Sequence, residues 1–219
     1  MKLETAVNSL PRPCTILIVG RRGSGKDVTS HQIAGILARA DYPSPFRKKV
    51  YSGMEPERYN LPSHFQKYKR RLPPNSVLLL SDAHLTLYAR EWGTPFNRTM
   101  DKLQTISRKR NLDIIYNTQQ TRRLDINIVS GVDFLMFKEP SLMAMKFERP
   151  EIRKMTEQAY KFFEDQTQQE KWRRAVAFTS AGELHITNIE KPEYWTEKLS
   201  KRYGRETVQV SGTCYPYPR

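Results

Sequence analysis

Cys14-Thr-Ile-Leu-Ile-Val19, followed by Gly20-Arg-Arg-Gly-Ser-Gly-Lys26-Asp27-Val28, is the stretch of sequence that decides the fold. Cys14 to Val19 is an unbroken apolar and β-branched run, the pattern of a strand buried on both faces. Gly20, Gly25 and Lys26 then match G-x-x-x-x-G-K, and the residues after Lys26 read as a helix. That context gives the spacing a physical meaning. Glycines let backbone N–H groups curl around phosphate oxygens, the helix N-terminus adds partial positive charge, and Lys26 reaches the β- and γ-phosphates. Gly20, Arg21, Arg22, Gly23, Ser24, Gly25, Lys26, Asp27 and Val28 therefore form the expected nucleotide-binding segment, with ATP as its ligand.

Working outward, Asp27–Ala40 reads as a helix with Val28, Ile33, Ile36 and Leu37 as its apolar positions, and Asp41-Tyr-Pro-Ser-Pro45 stops it. Lys48–Ser52, Val77–Leu80, Leu112–Tyr116 and Phe134–Phe137 read as further short strands, with helices expected around Ser63–Arg71 and over Thr99–Arg110. Glu151–Arg174 has helical composition, Ala175–Phe178 and Glu183–Ile186 suit a hairpin around Ala181-Gly182, and Tyr194–Tyr203 reads as a last helix. Strands alternating with helices predict an α/β fold with a mostly parallel central sheet flanked by helices and a small C-terminal hairpin and helical extension. Residues 1–13 read as a short polar lead, 14–204 as one P-loop domain and 205–219 as an extended Pro/Tyr-rich tail.

The 219 residues, 38% hydrophobic and 27% charged, have a globular composition. No apolar run approaches the roughly 20 residues needed to cross a bilayer, and the N-terminus lacks a signal-peptide core. Cys14 and Cys214 lie at opposite ends of the chain and no Cys/His group has zinc-finger spacing, which fits a reducing, intracellular setting. The net charge of +14 favours a polyanionic partner, nucleic acid or an anionic membrane surface.

The position after Lys26 departs from the usual loop. A hydroxyl that ligates Mg²⁺ normally stands there, and this chain has Asp27. The strand Leu78-Leu79-Leu80 runs into Ser81-Asp82, where a metal-holding acid is expected. Two registers are open. In one, Asp82 is the catalytic acid, Ser81 occupies the metal position, and Asp27 and Ser81 have exchanged roles around one Mg²⁺, since oxygen ligands suit this hard cation from either side. In the other, Asp82 is itself the metal ligand.

Leu112-Asp-Ile-Ile-Tyr116 is followed by Asn117-Thr118-Gln119-Gln120, and the preceding helix ends Ser107-Arg108-Lys-Arg110. With the order P-loop, strand with acid, arginine helix, Thr-Gln, further strand, the chain resembles the FtsK/HerA superfamily of DNA-pumping ATPases. Glu193-Tyr-Trp195-Thr-Glu-Lys-Leu-Ser200 is similar to the tail of its small viral and archaeal genome-packaging members. The resemblance implies a RecA-like P-loop ATPase that couples ATP hydrolysis to DNA translocation, packaging a viral genome into a capsid. It assigns Gln119 to sensing the γ-phosphate or orienting water, Asp82 to positioning or deprotonating that water, and Arg108 or Arg110 to an arginine finger in a neighbouring subunit. A hexameric or pentameric ring would give that finger its target, and capsid or portal-vertex proteins are implied partners. The setting would be the cytoplasm, that of the host cell for a viral protein, or the virion. Lys67-Tyr-Lys-Arg-Arg71, Arg122-Arg123 and Lys171-Trp-Arg-Arg174 are candidates for tracking the phosphate backbone without reading bases, and Tyr68 and Trp172 could stack on bases.

Three alternatives stay open. A filamentous-phage assembly or conjugation ATPase would usually carry a membrane segment. A small P-loop kinase fits the size and would use Arg122 and Arg123 as lid residues. A hydrolysis-deficient, ATP-gated DNA-binding protein fits Asp27 and Ser81.

Overall fold

The computed structural model describes residues 1–39, 48–67, 72–81 and 95–200, with the side chains of 95–101 left aside. Asp82, the helix stop at Asp41–Pro45, Tyr68–Arg71, the end of the last helix, Cys214 and the tail at 205–219 lie outside the described residues. Eight strands form one sheet: β1 (Thr15–Val19), β2 (Lys49–Ser52), β3 (Phe65–Lys67), β4 (Ser76–Leu80), β5 (Leu112–Thr118), β6 (Phe134–Phe137), β7 (Ala175–Thr179) and β8 (Gly182–Ile186). Their order is β3-β2-β4-β5-β1-β6-β7-β8. The strands from β3 to β6 are parallel, and β7 and β8 add as an antiparallel hairpin. The chain leaves β1 for β2 near one edge and returns with β5 and β6 to flank β1. That reversal opens a crevice at the C-terminal ends of the central strands, where open α/β sheets bind ligands.

The side-chain alternation of the strands divides two cores. Ile16 and Ile18 of β1 join Val77, Leu79, Ile115 and Met136 under one layer. Leu17 and Val19 join Leu78, Ile114, Tyr116 and Phe137 on the opposite face. The first layer is built from α1 (Leu3–Asn8) and α2 (Lys26–Arg39). The second includes α4 (Ile126–Ser130) and α6 (Pro150–Glu164), with α3 (Pro95–Arg110) placed by its position before β5. α5 (Leu142–Phe147), α7 (Gln168–Arg173) and α8 (Glu197–Ser200) complete the helices.

Several elements differ from expectation. The lead folds as α1, with Leu3, Ala6 and Val7 buried. It covers the outer side of α2, which is buried nearly all round, as a helix sandwiched between other elements must be. Within the segment expected to be helical around Ser63–Arg71, Phe65–Lys67 is instead the strand β3, in register with β2 at Val50↔Phe65. The reason is local. Its one large apolar side chain, Phe65, is buried while Gln66 and Lys67 are exposed, and extended backbone satisfies the open edge of β2. Phe65 stacks on His31 of α2, with ring centroids 5.4 Å apart, and Trp195 meets the same imidazole edge-on at 5.1 Å. Glu151–Arg174 is two helices, because Thr167 and Glu170 form a reciprocal capping box that starts α7 afresh.

At the N-terminal rim of the sheet, Asp113 of β5 is fully buried. Its carboxylate accepts from Lys48 Nζ at 2.7 Å and from the Cys14 backbone N–H at 2.9 Å, with Arg12 at 3.4 Å.

Candidate functional site

The phosphate loop sits at the C-terminal end of β1 and opens α2. Gly23 and Gly25 have φ of 77° and 86°, values that side chains with a Cβ rarely adopt. Gly20 is needed for a different reason: a Cβ there would lie 2.7 Å from Ser24 Oγ and 2.8 Å from Lys138 Cβ. Lys26, nearly buried, turns its ammonium back to the Arg21 carbonyl at 3.0 Å. Ser24 Oγ is buried with no hydrogen-bond partner among the described residues.

Strand pairing brings two further segments to this loop. The Gly20 N–H donates to the Thr118 carbonyl at 3.3 Å, which seats the half-buried Gln119 beside the loop's first residue. Asn117, buried at the end of β5, donates through Nδ2 to Asp27 Oδ1 at 2.8 Å and to Ser30 Oγ at 3.3 Å. The side chain at the unusual position of the loop is thus oriented from the central strand. Leu80 is in register with Tyr116, so Ser81 follows at the level of Asn117. Its Oγ is buried and has no partner among the described residues.

These residues fit Mg²⁺ in the manner of P-loop sites. No three His, Cys, Asp or Glu side chains cluster as a metal cage among the described residues. Mg²⁺ needs none, since it is commonly held by one or two protein oxygens and by substrate phosphates. Asp27, held by Asn117, and the buried Ser81 hydroxyl at the level of that asparagine are oxygen donors of the required kind.

The arginines lie elsewhere. Arg108 and Arg110 precede β5, and its seven residues at roughly 3.3 Å each put them about 20 Å from the chain's own loop. Arg110 donates to the Leu72 carbonyl at 2.5 Å. Arg108 is 80% exposed, 4.0 Å from Asp133, on the rim of a hollow of about 360 Å³ shared with Gln104 and Asn127. Both lie at the end of the strands opposite the loop.

Comparison with known proteins gives a consistent picture. No protein-family model and no curated protein matches the sequence. Among solved structures, the genome packaging NTPase B204 from Sulfolobus turreted icosahedral virus 2, in complex with ATPγS, superposes with a TM-score of 0.56 at 13% identity, over 81% of this chain and 98% of that one. The chain has a RecA-like P-loop NTPase fold. The DNA-packaging ATPase B204 from Sulfolobus turreted icosahedral virus matches with a TM-score of 0.56 at 16% identity, over 81% and 98% of the two chains. The pCW3 conjugation coupling protein TcpA, with ATPγS, matches with a TM-score of 0.53 at 12% identity, over 81% of this chain and 60% of that one. No helix among the described residues is long and apolar enough to cross a membrane.

Sequence reasoning passed over four residues of the site. Asn117 was legible only as a strand end. Glu148, buried, accepts from Thr121 Oγ1 at 2.6 Å and from the N–H groups of Thr121, Arg122 and Arg149, clamping the turn after Gln119 to the start of α6. Lys138 is fully buried directly after β6, and burial pushes its ammonium down to about 7. Glu139 pairs with Arg21 of the loop at 2.7 Å. A basic-acidic dipeptide ending the apolar run Phe134–Phe137 was the available signal for the last two.

Proposed function

We propose that this chain is an ATP-driven motor that moves DNA, packaging a viral genome, and works in a homo-oligomeric ring. The observation that carries the reading is the junction of the phosphate loop with β5, where Gly20 bonds Thr118 and Asn117 bonds Asp27. A nucleotide in the loop thereby touches the strand end that bears Gln119.

In this reading the loop's N–H groups and the Ser24 hydroxyl donate to phosphate oxygens, and the Lys26 ammonium exchanges the Arg21 carbonyl for the β- and γ-phosphates. Asp27 and Ser81 would hold Mg²⁺, which when bound neutralises charge on the phosphates. Asp82 takes a proton from the attacking water or orients it, and Gln119 aligns that water or reads the γ-phosphate. Arg108 supports a finger role best: it is exposed, and its distance from the chain's own loop points it to a neighbour's, where it would stabilise transition-state charge. Arg110, occupied at Leu72, supports the helix end that carries it. Arg122, Arg123 and the exposed Trp172 with Lys171, Arg173 and Arg174 are the described candidates for the DNA backbone. Asp27 in the loop also favours a second reading, a nucleotide-gated DNA-binding protein without turnover.

A steady-state ATPase assay with and without DNA at two salt concentrations tests both. The motor reading expects DNA-stimulated turnover that weakens with salt. Nucleotide binding without turnover supports the gated protein, and turnover indifferent to DNA supports a small-molecule kinase. Asp27→Ser and Ser81→Asp should each abolish turnover and the double variant restore it. A dead double variant refutes the exchange and leaves Asp82 as the metal ligand.

A further inference from the structure

The side of the phosphate loop away from β5 rests on one side chain. Lys138 enters beneath the loop. Its N–H bonds the Val19 carbonyl at 2.7 Å, its Cβ fills the space a side chain at Gly20 would need, and its Cε passes 3.8 Å from the Cβ position of Gly25. Its ammonium emerges on the far side and donates to three backbone carbonyls at the end of α7: Lys171 at 3.3 Å, Trp172 at 2.8 Å and Arg174 at 2.7 Å. A buried ammonium is costly unless fully hydrogen-bonded, so this geometry holds only while stem and carbonyls keep their places. A second, outer tie runs parallel to it. Glu139 pairs with Arg21 of the loop at 2.7 Å and with Lys171 of α7 at 3.1 Å, and the Glu139 carbonyl accepts the Arg21 N–H at 2.9 Å.

We propose that Lys138 is a positioning residue that makes the phosphate loop and the end of α7 one mechanical unit, so that nucleotide in the loop is registered at Trp172 and the basic side chains around it. The proposal rests on the loop binding a nucleoside triphosphate. Closing of the loop around phosphates shifts Gly20 and Gly25, against which the stem of Lys138 packs, and the three carbonyls pass that displacement to α7. Trp172 is exposed, with Lys191 Nζ 5.3 Å from its ring centre, so a small tilt of α7 changes the ring's surroundings.

The test labels the full chain with 5-fluorotryptophan, assigns the Trp172 resonance with Trp172→Phe, and titrates ATPγS below pH 7, where the Lys138 ammonium keeps its three donors, while calorimetry gives Kd. In the parent protein ATPγS should bind and the Trp172 resonance should move. Lys138→Met should bind about tenfold more weakly, the scale on which a residue of such a coupling network acts, with the Trp172 resonance unmoved at saturation. Glu139→Gln, which cuts only the outer tie, should change Kd less than Lys138→Met does and keep the Trp172 response. If the parent fails to bind ATPγS, the nucleotide reading falls and this proposal with it. If the parent binds and Trp172 stays still, the proposal alone falls, and this holds even if Lys138→Met does not fold. It falls also if Lys138→Met binds and responds like the parent.

Discussion

Asp113 and Lys138 are both charged, both buried, and placed at opposite rims of the sheet. Asp113 has cationic partners in Lys48 and Arg12. Removing one member of a buried ion pair strands the other, so Asp113→Ala should cost about 3–5 kcal/mol in urea unfolding, with little effect on nucleotide binding at the other rim. Lys138 has carbonyls rather than a carboxylate around its ammonium, and burial holds its pKa at about 7. Between about 7 and the ordinary lysine range the unfolded chain keeps a proton that the native state has released, so this group makes stability rise with pH across that window. Unfolding titrations at pH 7 and pH 9 should show that rise in the parent, and Lys138→Met should reduce it. Cys14 is the reverse case for a thiol. Burial, aided by the neighbouring Asp113 carboxylate, pushes it far up, so thiol reagents should leave it unmodified until the chain unfolds.

Elements were legible in proportion to how far their own residues decided them. β1, β4, β5 and β6 are dense apolar runs, and each lies where its composition placed it, because burial on both faces leaves no polar alternative. The loop from Gly20 to Lys26 was legible because its glycines are demanded by φ and by close approach. α1 was missed because Leu3, Ala6 and Val7 make one short stripe with no cap, and only the packing of α2 gives that stripe a place. β3 was misread as helical because a three-residue edge strand has too few residues for a period and is decided by its neighbour. The break between α6 and α7 was written in Thr167 and Glu170 and overlooked. Thr167→Ala removes the hydroxyl arm of that cap and keeps the backbone N–H bond to Glu170, and should cost about 1 kcal/mol, seen as a shift in the urea midpoint. Of the site, the loop itself could be read. Asn117, Lys138 and Glu148 could not, since each acts on a segment distant in sequence.

On the scale of the whole molecule, the loop and Arg108 occupy opposite ends of the strands, and subunits stacked around a closed ring would bring one end to the other. Mixing Arg108→Ala chains with Lys26→Ala chains should then restore part of the turnover that each lacks alone, whereas a finger acting within one subunit would give none. The charge of +14 belongs to the same scale. Affinity for DNA of unrelated sequences should be alike and fall steeply with salt, the signature of counterion release, in a filter-binding or anisotropy titration. The contact of His31 with Trp195 carries a practical corollary. An imidazole edge-on to an indole at 5.1 Å makes that indole's emission sensitive to where the imidazole stands. With Trp92 and Trp172 replaced by Phe, emission from Trp195 therefore serves as a built-in optical gauge of α2, readable without attaching any dye.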